Sequence, residues 1–267
     1  MFALKSFFEI NEKCLKENYP GLHFGRLERE FQDNPHHLFN HQIETKLLNG
    51  EPFAYIFNQS FFYNSFFFID KRVLIPRLET ELLVSETTKV IEKNCQLCEV
   101  GIGSGAIAIS LLKESHNITK IVGIDISEEA LAVARINKFR HAYGINSDKL
   151  TLQKGDRLEG QIRSSFDVIV SNPPYIKELA DLSEVHGKVD EFEPREALYL
   201  PDVSYDLWFT DFFKDAYNKL KTNGHFLMEG HESHLERQKE ECLKIGFKSV
   251  VIIKDLTNRN RILKARK

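Results

Sequence analysis

The tetrapeptide Asn172-Pro173-Pro174-Tyr175 combines residue types that suit chemistry at a planar nitrogen. The lone pair of an amide or aromatic amine is delocalised, and an Asn side-chain carbonyl with a main-chain carbonyl can accept its two hydrogens. The prolines fix the backbone and remove competing N–H donors, so we expect the carbonyl of Pro173 to face outward. Tyr175 offers a flat face for stacking. We predict methyl transfer to nitrogen with Asn172, Pro173 and Tyr175 as catalytic residues, although the motif alone leaves amide and adenine undecided.

A glycine-rich turn upstream, Gly101-Ile102-Gly103-Ser104-Gly105, follows an apolar run and opens a helical pattern. Glycines allow backbone angles closed to other residues and let a ligand approach the main chain. The spacing also satisfies the dinucleotide fingerprint. Glu99 favours S-adenosyl-L-methionine, because its carboxylate suits the cationic amino group of that cofactor and would repel a pyrophosphate.

Two further acidic residues follow the next two predicted strands. A carboxylate at Asp125 can accept both ribose hydroxyls of either cofactor. Its alternative role is to cap the next helix, for which Ser127 is better spaced. Asp156 could meet the adenine amino group, but Gly155-Asp156 is equally a plain turn.

The elements that would position these residues alternate between apolar runs and amphipathic segments. This alternation predicts a mainly parallel sheet with helices on both faces, and Asn172 directly follows one strand, where ligands bind in such sheets. The predicted strands are Leu97–Val100, Ile121–Ile124, Leu150–Leu152, Phe166–Val170, His225–Met228 and Val250–Ile253. The basic, alternating segment 259–267 is expected to be an edge strand protected by charges, with a nucleic-acid arm as the alternative.

The first 50 or so residues have helical periodicity broken by Pro20-Gly21, Asn34-Pro35 and Gly50. Two aromatic runs around Asn64-Ser65 then predict a β-hairpin whose aromatic side chains pack in an interface. We therefore expect a helical N-terminal domain at 1–58, a hairpin linker at 59–76 and a catalytic domain at 77–267.

Composition limits the classes of function. The chain has 267 residues, 42% of them hydrophobic, and a formal net charge of -3, so it can bury a core but carries no overall basic field for duplex nucleic acid. It shows no membrane-length apolar run or secretory signal, which predicts a cytoplasmic protein. Cys95 and Cys98 form a Cys-x-x-Cys pair, but no second cluster completes a tetrahedral site, so we predict no metal.

Several segments together resemble the peptide chain release factor glutamine methyltransferases, that is, protein-(glutamine-N5) methyltransferases. The resemblance covers nearly the whole chain. Besides the glycine turn and Asn172–Tyr175, it lies in Gly50–Ile56, Val73–Glu81, Phe192–Leu198 and Asp255–Arg261. The Ile75-Pro76-Arg77-x-Glu79-Thr80-Glu81 pattern discriminates most, because DNA adenine methyltransferases share the tetrapeptide without it. Leu78 and Arg157 depart from the family pattern, as does Met228-Glu229-Gly230-His231 at the end of its strand.

The resemblance implies a class I Rossmann-like methyltransferase domain with a seven-stranded, mostly parallel sheet. It implies methylation of the glutamine in the Gly-Gly-Gln loop of class 1 release factors, which the N-terminal domain helps to grip, by a protein we expect to be monomeric. The expected cofactor-binding residues are Glu99, Gly101, Ile102, Gly103, Ser104, Gly105, Asp125, Ile126, Asp156, Arg157 and Asn172. The expected substrate-binding residues are Asn172, Pro173, Pro174, Tyr175, Arg77 and Glu81.

Other functions compete with this interpretation. The nearest are methylation of another protein glutamine or of an adenine amino group in nucleic acid. A non-catalytic binding module would not need the arrangement of Asn172 and Tyr175. A nicotinamide oxidoreductase would be distinguished by which cofactor raises the melting temperature.

Overall fold

A computed structural model describes residues 2–163, 165–185 and 187–267. The helices in this part of the chain are α1 (Phe2–Asn18), α2 (Phe24–Asp33), α3 (His41–Asn49), α4 (Phe53–Ile56), α5 (Thr80–Thr88), α6 (Ala106–Glu114), α7 (Glu128–Arg140), α8 (Gly187–Phe192), α9 (Arg195–Leu198), α10 (Tyr205–Lys219) and α11 (Leu235–Ile245). The strands are β1 (Gln59–Phe62), β2 (Ser65–Phe68), β3 (Cys95–Val100), β4 (Ile118–Asp125), β5 (Leu150–Lys154), β6 (Phe166–Ser171), β7 (Ile176–Lys177), β8 (Tyr199–Leu200), β9 (Leu220–Glu229), β10 (Ser249–Lys254) and β11 (Asn260–Arg266). None of the described helices is both long and apolar enough to cross a membrane.

Seven strands form one sheet in the order β10-β11-β9-β6-β3-β4-β5. The pairs from β9 through β6, β3 and β4 to β5 are all parallel. Strand β11 is antiparallel to both of its neighbours, β9 and β10. Each predicted strand lies within an observed one, and the prediction of a seven-stranded, mostly parallel sheet is confirmed.

The prediction that the C-terminal segment is an edge strand is wrong. Strand β11 lies between β9 and β10, and its Ile262 and Leu263 are fully buried. The edge is β10, where Val251 is 46% exposed. Three apolar residues of β11 are buried, Ile262 in one core and Leu263 and Ala265 in the other. A sequence pattern cannot say which of two adjacent strands lies outermost.

Successive residues of the central strands enter two separate cores, as expected when both faces of a sheet are covered. Leu97 and Val168 pack with helices α5 to α7 on one face, whereas Cys98 and Ile169 pack with α10 and α11 on the other. Cys95 shares the face of Leu97, so Cys95 and Cys98 point to opposite sides of the sheet.

Helices α1 to α4 enclose their own apolar core, which includes Leu15, Leu27 and Leu47. Helix α3 begins after Asn40, whose side chain accepts a hydrogen bond from the N–H of Ile43, and ends at Gly50 with a left-handed φ of 76°. That conformation favours glycine as the helix terminator.

The hairpin predicted from the aromatic runs is formed by β1 and β2. Its turn residues are Tyr63 and Asn64, with φ of 44° and 62°, one position earlier than the Asn64-Ser65 pair suggested. Positive φ at both positions matches the twist of a two-residue hairpin. Phe62 and Phe67 are buried in the core of the sheet, whereas Phe61 and Phe66 on the other face are about half exposed, so the packing role is confirmed for one face of the hairpin. Residues 69–79 continue as a loop.

Candidate active site

The predicted site residues meet where the order of the parallel strands reverses. Strands β4 and β5 lie to one side of β3, and β6 and β9 lie to the other, which leaves a crevice at the carboxyl ends of β3 and β6. Val100 pairs with Ser171, and the Ser171 hydroxyl donates to the carbonyl oxygen of Val100 at 2.7 Å. Gly101 and Asn172 follow these paired residues and therefore emerge side by side.

The glycine turn is held against β4 by its own backbone. The N–H groups of Gly101 and Ile102 both donate to the carbonyl oxygen of Ile124, at 2.8 and 2.9 Å. Gly101, Gly103 and Gly105 have φ of 72°, 52° and 81°, in the left-handed region that disfavours side chains. These backbone angles explain why the turn has glycine at these three positions.

Glu99 is a buried carboxylate at the end of β3, 1% exposed, and it borders the cavity above the turn. Its Oε2 accepts a hydrogen bond from the N–H of Ala108 at 2.8 Å. Burial raises the pKa of Glu99 well above its ordinary value, and the nearby Asp125 adds to the effect. A buried carboxylate of this kind would gain from a cationic ligand.

Asp125 links the turn to the next helix. Its Oδ2 accepts from the N–H of Gly103 at 2.8 Å and its Oδ1 accepts from the N–H of Ser127 at 3.0 Å. Ser127 caps α7 by accepting from the N–H of Ala130, as its spacing predicted. Asp125 is therefore free of the capping role and borders the cavity with Ile126.

The far end of the cavity is bordered by Asp156, Arg157 and Trp208. Arg157 adopts a positive φ of 48°, and its guanidinium carbon lies 5.6 Å from the centre of the Trp208 ring. Trp208 is the single tryptophan of the chain. Sequence reasoning missed Trp208, although its ring supplies a large aromatic face close to Arg157.

Two adjoining cavities meet at the tetrapeptide. The first, of about 410 Å³, is bordered by every predicted cofactor-binding residue except Gly105, whose place is at the start of α6. The second, of about 270 Å³, is bordered by Arg77 and Tyr175. Asn172 and Pro173 border both. The volume of the first is within the usual range for small-molecule sites.

A buried hydrogen-bond chain supports the tetrapeptide from behind. Asn172 Nδ2 donates to Thr80 Oγ1 at 3.3 Å, and the Thr80 hydroxyl donates to Oε2 of Glu229 at 2.7 Å. The Tyr175 hydroxyl donates to Oε1 of Glu229 at 3.0 Å. Burial raises the pKa of Glu229, while the two hydroxyls and the charge of Arg261 oppose that rise.

Sequence reasoning missed the roles of Thr80 and Glu229. Thr80 lies inside the discriminating Ile75–Glu81 pattern, and Glu229 ends β9, beside the strand that carries Asn172. The sequence therefore pointed to each residue separately, but Thr80 and Glu229 are 149 residues apart in the chain. Only the sheet topology shows that they touch.

The two predicted substrate residues of the Val73–Glu81 segment have different surroundings. Arg77 borders the second cavity and is ion-paired with the buried Glu193, which also accepts from the N–H of Ile75 at 3.0 Å. Glu81 borders neither cavity; its carboxylate accepts from the N–H of Tyr63 at 2.9 Å and so holds the hairpin turn. The structure does not bring Glu81 to the site, because consecutive helix residues are about 100° apart and Thr80 takes the inward position.

Asp181, His231 and His234 place potential metal ligands within 4.8 Å of one another beside the second cavity. Oδ2 of Asp181 already accepts from the N–H of Lys177 at 2.9 Å and bonds to Nε2 of His234 at 2.8 Å. Burial alone would raise the pKa of Asp181, but these bonds hold it below its ordinary value. They explain the cluster as a hydrogen-bonded group, and we assign it no metal.

Comparison with known proteins agrees with this geometry. Residues 91–260 match a family model described as a methyltransferase domain. The chain is 35% identical to a release factor glutamine methyltransferase of Flavobacterium psychrophilum, over 84% of this chain and 79% of that protein. It is 34% identical to the enzyme of the same name from Leptospira interrogans, over 91% of this chain and 82% of that protein.

A solved structure shares the fold at lower identity. A methyltransferase from Pyrococcus furiosus is 20% identical, with a TM-score of 0.52 over 75% of this chain and 88% of that one. This likeness concerns the fold alone, whereas the two relatives above match most of the sequence. The chain therefore belongs to the release factor glutamine methyltransferase family.

Proposed function

We propose that the protein transfers a methyl group from S-adenosyl-L-methionine to the side-chain amide nitrogen of the glutamine in the Gly-Gly-Gln loop of class 1 peptide chain release factors. One observation carries the proposal: Asn172 and Pro173 form the boundary between two cavities. A cofactor in the first cavity and a side chain entering the second would meet at these residues.

The residues of the first cavity fit the proposed cofactor. Glu99 offers a buried carboxylate for its amino group, and Asp125 offers one for the ribose hydroxyls. Gly101 has a positive φ, which favours glycine, and it lies beside the main chain of Asn172. Arg157 and Trp208 would flank the adenine. When bound, the cofactor supplies a methyl group on a sulfonium sulfur.

The second cavity would hold the glutamine amide by its two hydrogens. No described residue donates a hydrogen bond to Oδ1 of Asn172 or to the carbonyl oxygen of Pro173. Both oxygens can therefore accept the N–H groups of a carboxamide. With its hydrogens held, the nitrogen presents its lone pair toward the first cavity, and alignment of this kind lowers the barrier.

With the amide held by Asn172 and Pro173, its nitrogen would take the methyl group that the cofactor supplies, and the methylated amide cation would be a strong acid. It passes one proton to water, so the site needs no general base before transfer. The work of the protein is thus to position the amide and to align it.

Ion pairing at the second cavity favours a protein substrate over nucleic acid. Arg77, Arg259 and Arg261 all border it, and they pair with Glu193, Glu232 and Asp255, respectively. Arginines already engaged with carboxylates are less available to a phosphate backbone, and the net charge is -3. We also propose that the protein works as a monomer in the cytoplasm.

Transfer of label tests the proposal. The protein is incubated with methyl-labelled cofactor and a purified class 1 release factor, alongside the same factor with its loop glutamine changed to alanine and a duplex DNA containing adenine. We expect label only on the unchanged factor. Equal label on both factors would refute the assigned target, and label on the DNA would favour the adenine alternative.

A further inference from the structure

A carboxamide such as that of Asn172 is nearly symmetrical in shape but not in chemistry. One end accepts hydrogen bonds and the other donates two. In the proposed function, which this inference deepens, the oxygen must face the substrate amide. The reverse orientation would place an NH₂ group against the NH₂ group of the substrate. Something in the protein has to select between the two orientations.

Glu229 sets the donor-to-acceptor direction of the hydrogen bonds that link it to Thr80 and Asn172. It is 1% exposed, and an ionised carboxylate can only accept hydrogen bonds. Its two oxygens accept from different hydroxyls, Oε2 from Thr80 at 2.7 Å and Oε1 from Tyr175 at 3.0 Å. Burial raises the pKa of Glu229, whereas the two hydroxyl donors and the positive charge of Arg261 favour the ionised form.

The hydroxyl of Thr80 determines which end of the Asn172 carboxamide faces it. A threonine hydroxyl has one hydrogen, and the Thr80 hydroxyl donates it to Glu229. Toward Asn172, Thr80 Oγ1 can therefore only accept, so the Nδ2 end of the carboxamide must face it at 3.3 Å. The orientation of Asn172 is thus decided by hydrogen-bond chemistry, which resolves an ambiguity that shape alone leaves open.

We propose that Thr80 and Glu229 are positioning residues for the methyl transfer: Glu229 directs the Thr80 hydroxyl, which holds Asn172 with its oxygen toward the substrate amide. The same carboxylate holds the hydroxyl of Tyr175, so one buried group orients both ends of the tetrapeptide. Thr80 borders the first cavity but not the second, Glu229 borders neither, and each acts on the substrate amide through another residue.

A pair of isosteric variants tests the proposal. Thr80→Val removes the hydroxyl at nearly constant shape, and Thr80→Ser keeps it. Thr87→Val is the matched control, because Thr87 is fully buried in the same helix and its hydroxyl donates only to the carbonyl oxygen of Leu83. The measurements are kcat and KM on the release factor, the Kd of S-adenosylhomocysteine from Trp208 fluorescence, and the melting temperature.

We expect Thr80→Val to lower kcat by about 10- to 100-fold, as misplacement of a positioned group does. Thr80 borders the first cavity, but its hydroxyl is bonded to Glu229 and valine keeps nearly the same shape. The Kd of S-adenosylhomocysteine should therefore stay within about threefold of wild type, since each tenfold in Kd would mean a lost interaction of hydrogen-bond size. Thr80→Ser should recover most of kcat. Thr87→Val should lower the melting temperature without lowering kcat.

Glu229→Gln gives a second measure. Its amide end would present a donor to one of the two hydroxyls, so the direction of the chain would be lost while its size is kept. We expect a fall in kcat with little change in the Kd of S-adenosylhomocysteine.

Wild-type kcat in Thr80→Val would overturn the proposal. So would an equal loss in Thr80→Val, Thr80→Ser and Thr87→Val, since that pattern indicates packing. A wild-type protein that binds S-adenosylhomocysteine but labels no release factor would instead refute the proposed function, which keeps the two failures apart.

Discussion

Asn172 is the side chain on which the proposed chemistry most directly depends. We predict that Asn172→Ala lowers kcat on the release factor at least about 100-fold, because loss of one preorganised hydrogen bond to a reacting group typically costs that much. Truncation removes a half-buried side chain, so the fold should remain. The measurement is initial rate at saturating cofactor, with far-UV circular dichroism to check folding.

Asn146→Ala is the matched control, because Asn146 is exposed and its side chain caps nothing. It should have the wild-type rate. Full activity in Asn172→Ala would contradict the assigned mechanism even if the target glutamine were correct.

We expect Glu99 to lower the stability of the cofactor-free protein and to strengthen cofactor binding. Burial raises its pKa in the folded protein, so the folded state binds the proton more tightly than the unfolded chain does. The stability this contributes is present below the pKa of an unfolded Glu, about 4.3, and is lost as pH rises through the folded pKa. At higher pH the ionised carboxylate is a cost to the free protein.

We therefore predict that Glu99→Gln raises the free energy of unfolding of the cofactor-free protein by about 1 kcal/mol at high pH, with the gain disappearing toward pH 4. The same change should raise the Kd of S-adenosylhomocysteine by about 10- to 100-fold, since a charge-assisted hydrogen bond is lost. Urea unfolding across pH and calorimetric titration measure the two effects.

Glu86→Gln serves as the comparison. Glu86 is also buried but is paired with Lys89 and Lys264, and it lies outside both cavities. The Kd of S-adenosylhomocysteine for Glu86→Gln should match that of wild type. If Glu99→Gln bound the cofactor product as tightly as wild type, Glu99 would not be the ammonium ligand.

At the scale of elements, one buried side chain joins the hairpin to the glycine turn. Asn137 of α7 is fully buried; its Oδ1 accepts from the N–H of Phe68 at 2.7 Å, and its Nδ2 donates to the carbonyl oxygens of Phe68 and Ser104, both at 2.9 Å. It thus ties β2 to the glycine turn. The position of the hairpin and the shape of the cofactor turn should depend on each other.

We predict that Asn137→Ala costs about 2–4 kcal/mol of unfolding free energy, because it leaves buried backbone groups unpaired. It should also weaken binding of S-adenosylhomocysteine, since the Ser104 carbonyl loses its support. Urea unfolding and the hydrogen exchange rate of the Phe68 amide measure the effect. Asn11→Ala, which loses a bond only to Phe7 within α1, should change neither the exchange rate nor the Kd. A stability within about 0.5 kcal/mol of wild type would contradict this role.

Local sequence patterns predicted most of the helices and strands, but they did not predict which strands lie beside each other in the sheet. Runs such as Ile121–Ile124 were identifiable because a strand buried on both faces has no polar side chain along its buried part. The place of β11 was not, because the edge is decided by which strand pairs with which, and the pattern of residues 259–267 suits either position. Ser127 was identifiable as a cap because capping depends on residues three apart.

The same distinction holds for the site. Gly101, Asp125 and Asn172 stand at strand ends, where topology brings ligands, so sequence could place them. The contact of Thr80 with Glu229 joins α5 to β9 and could not be derived from spacing. Glu81 was misplaced because a motif shows which residues matter and not which way each one points around a helix.

At the scale of the whole molecule, helix α4 belongs to two cores at once. Ile56 packs with helices α1 to α3, whereas Tyr55 packs with Phe62 and Phe67 in the core of the sheet. The Tyr55 hydroxyl donates to the carbonyl oxygen of Val73 at 2.7 Å. We propose that residues 1–58 are a domain whose unfolding is coupled to the catalytic domain through this single turn.

That coupling makes a prediction for thermal unfolding. Wild type should melt in one transition, seen alike by far-UV circular dichroism and by fluorescence of Trp208, which reports on the catalytic domain. Tyr55→Ala should cost about 3–5 kcal/mol, the usual range for truncating a buried aromatic residue, and should separate the two signals. Tyr55→Phe, which keeps the ring and loses only the hydroxyl, should lower the melting temperature but keep one transition. Coincident transitions in Tyr55→Ala would show that the domains are coupled elsewhere, for instance through Lys188, whose ammonium donates to the carbonyl oxygen of Asn49 at 3.1 Å.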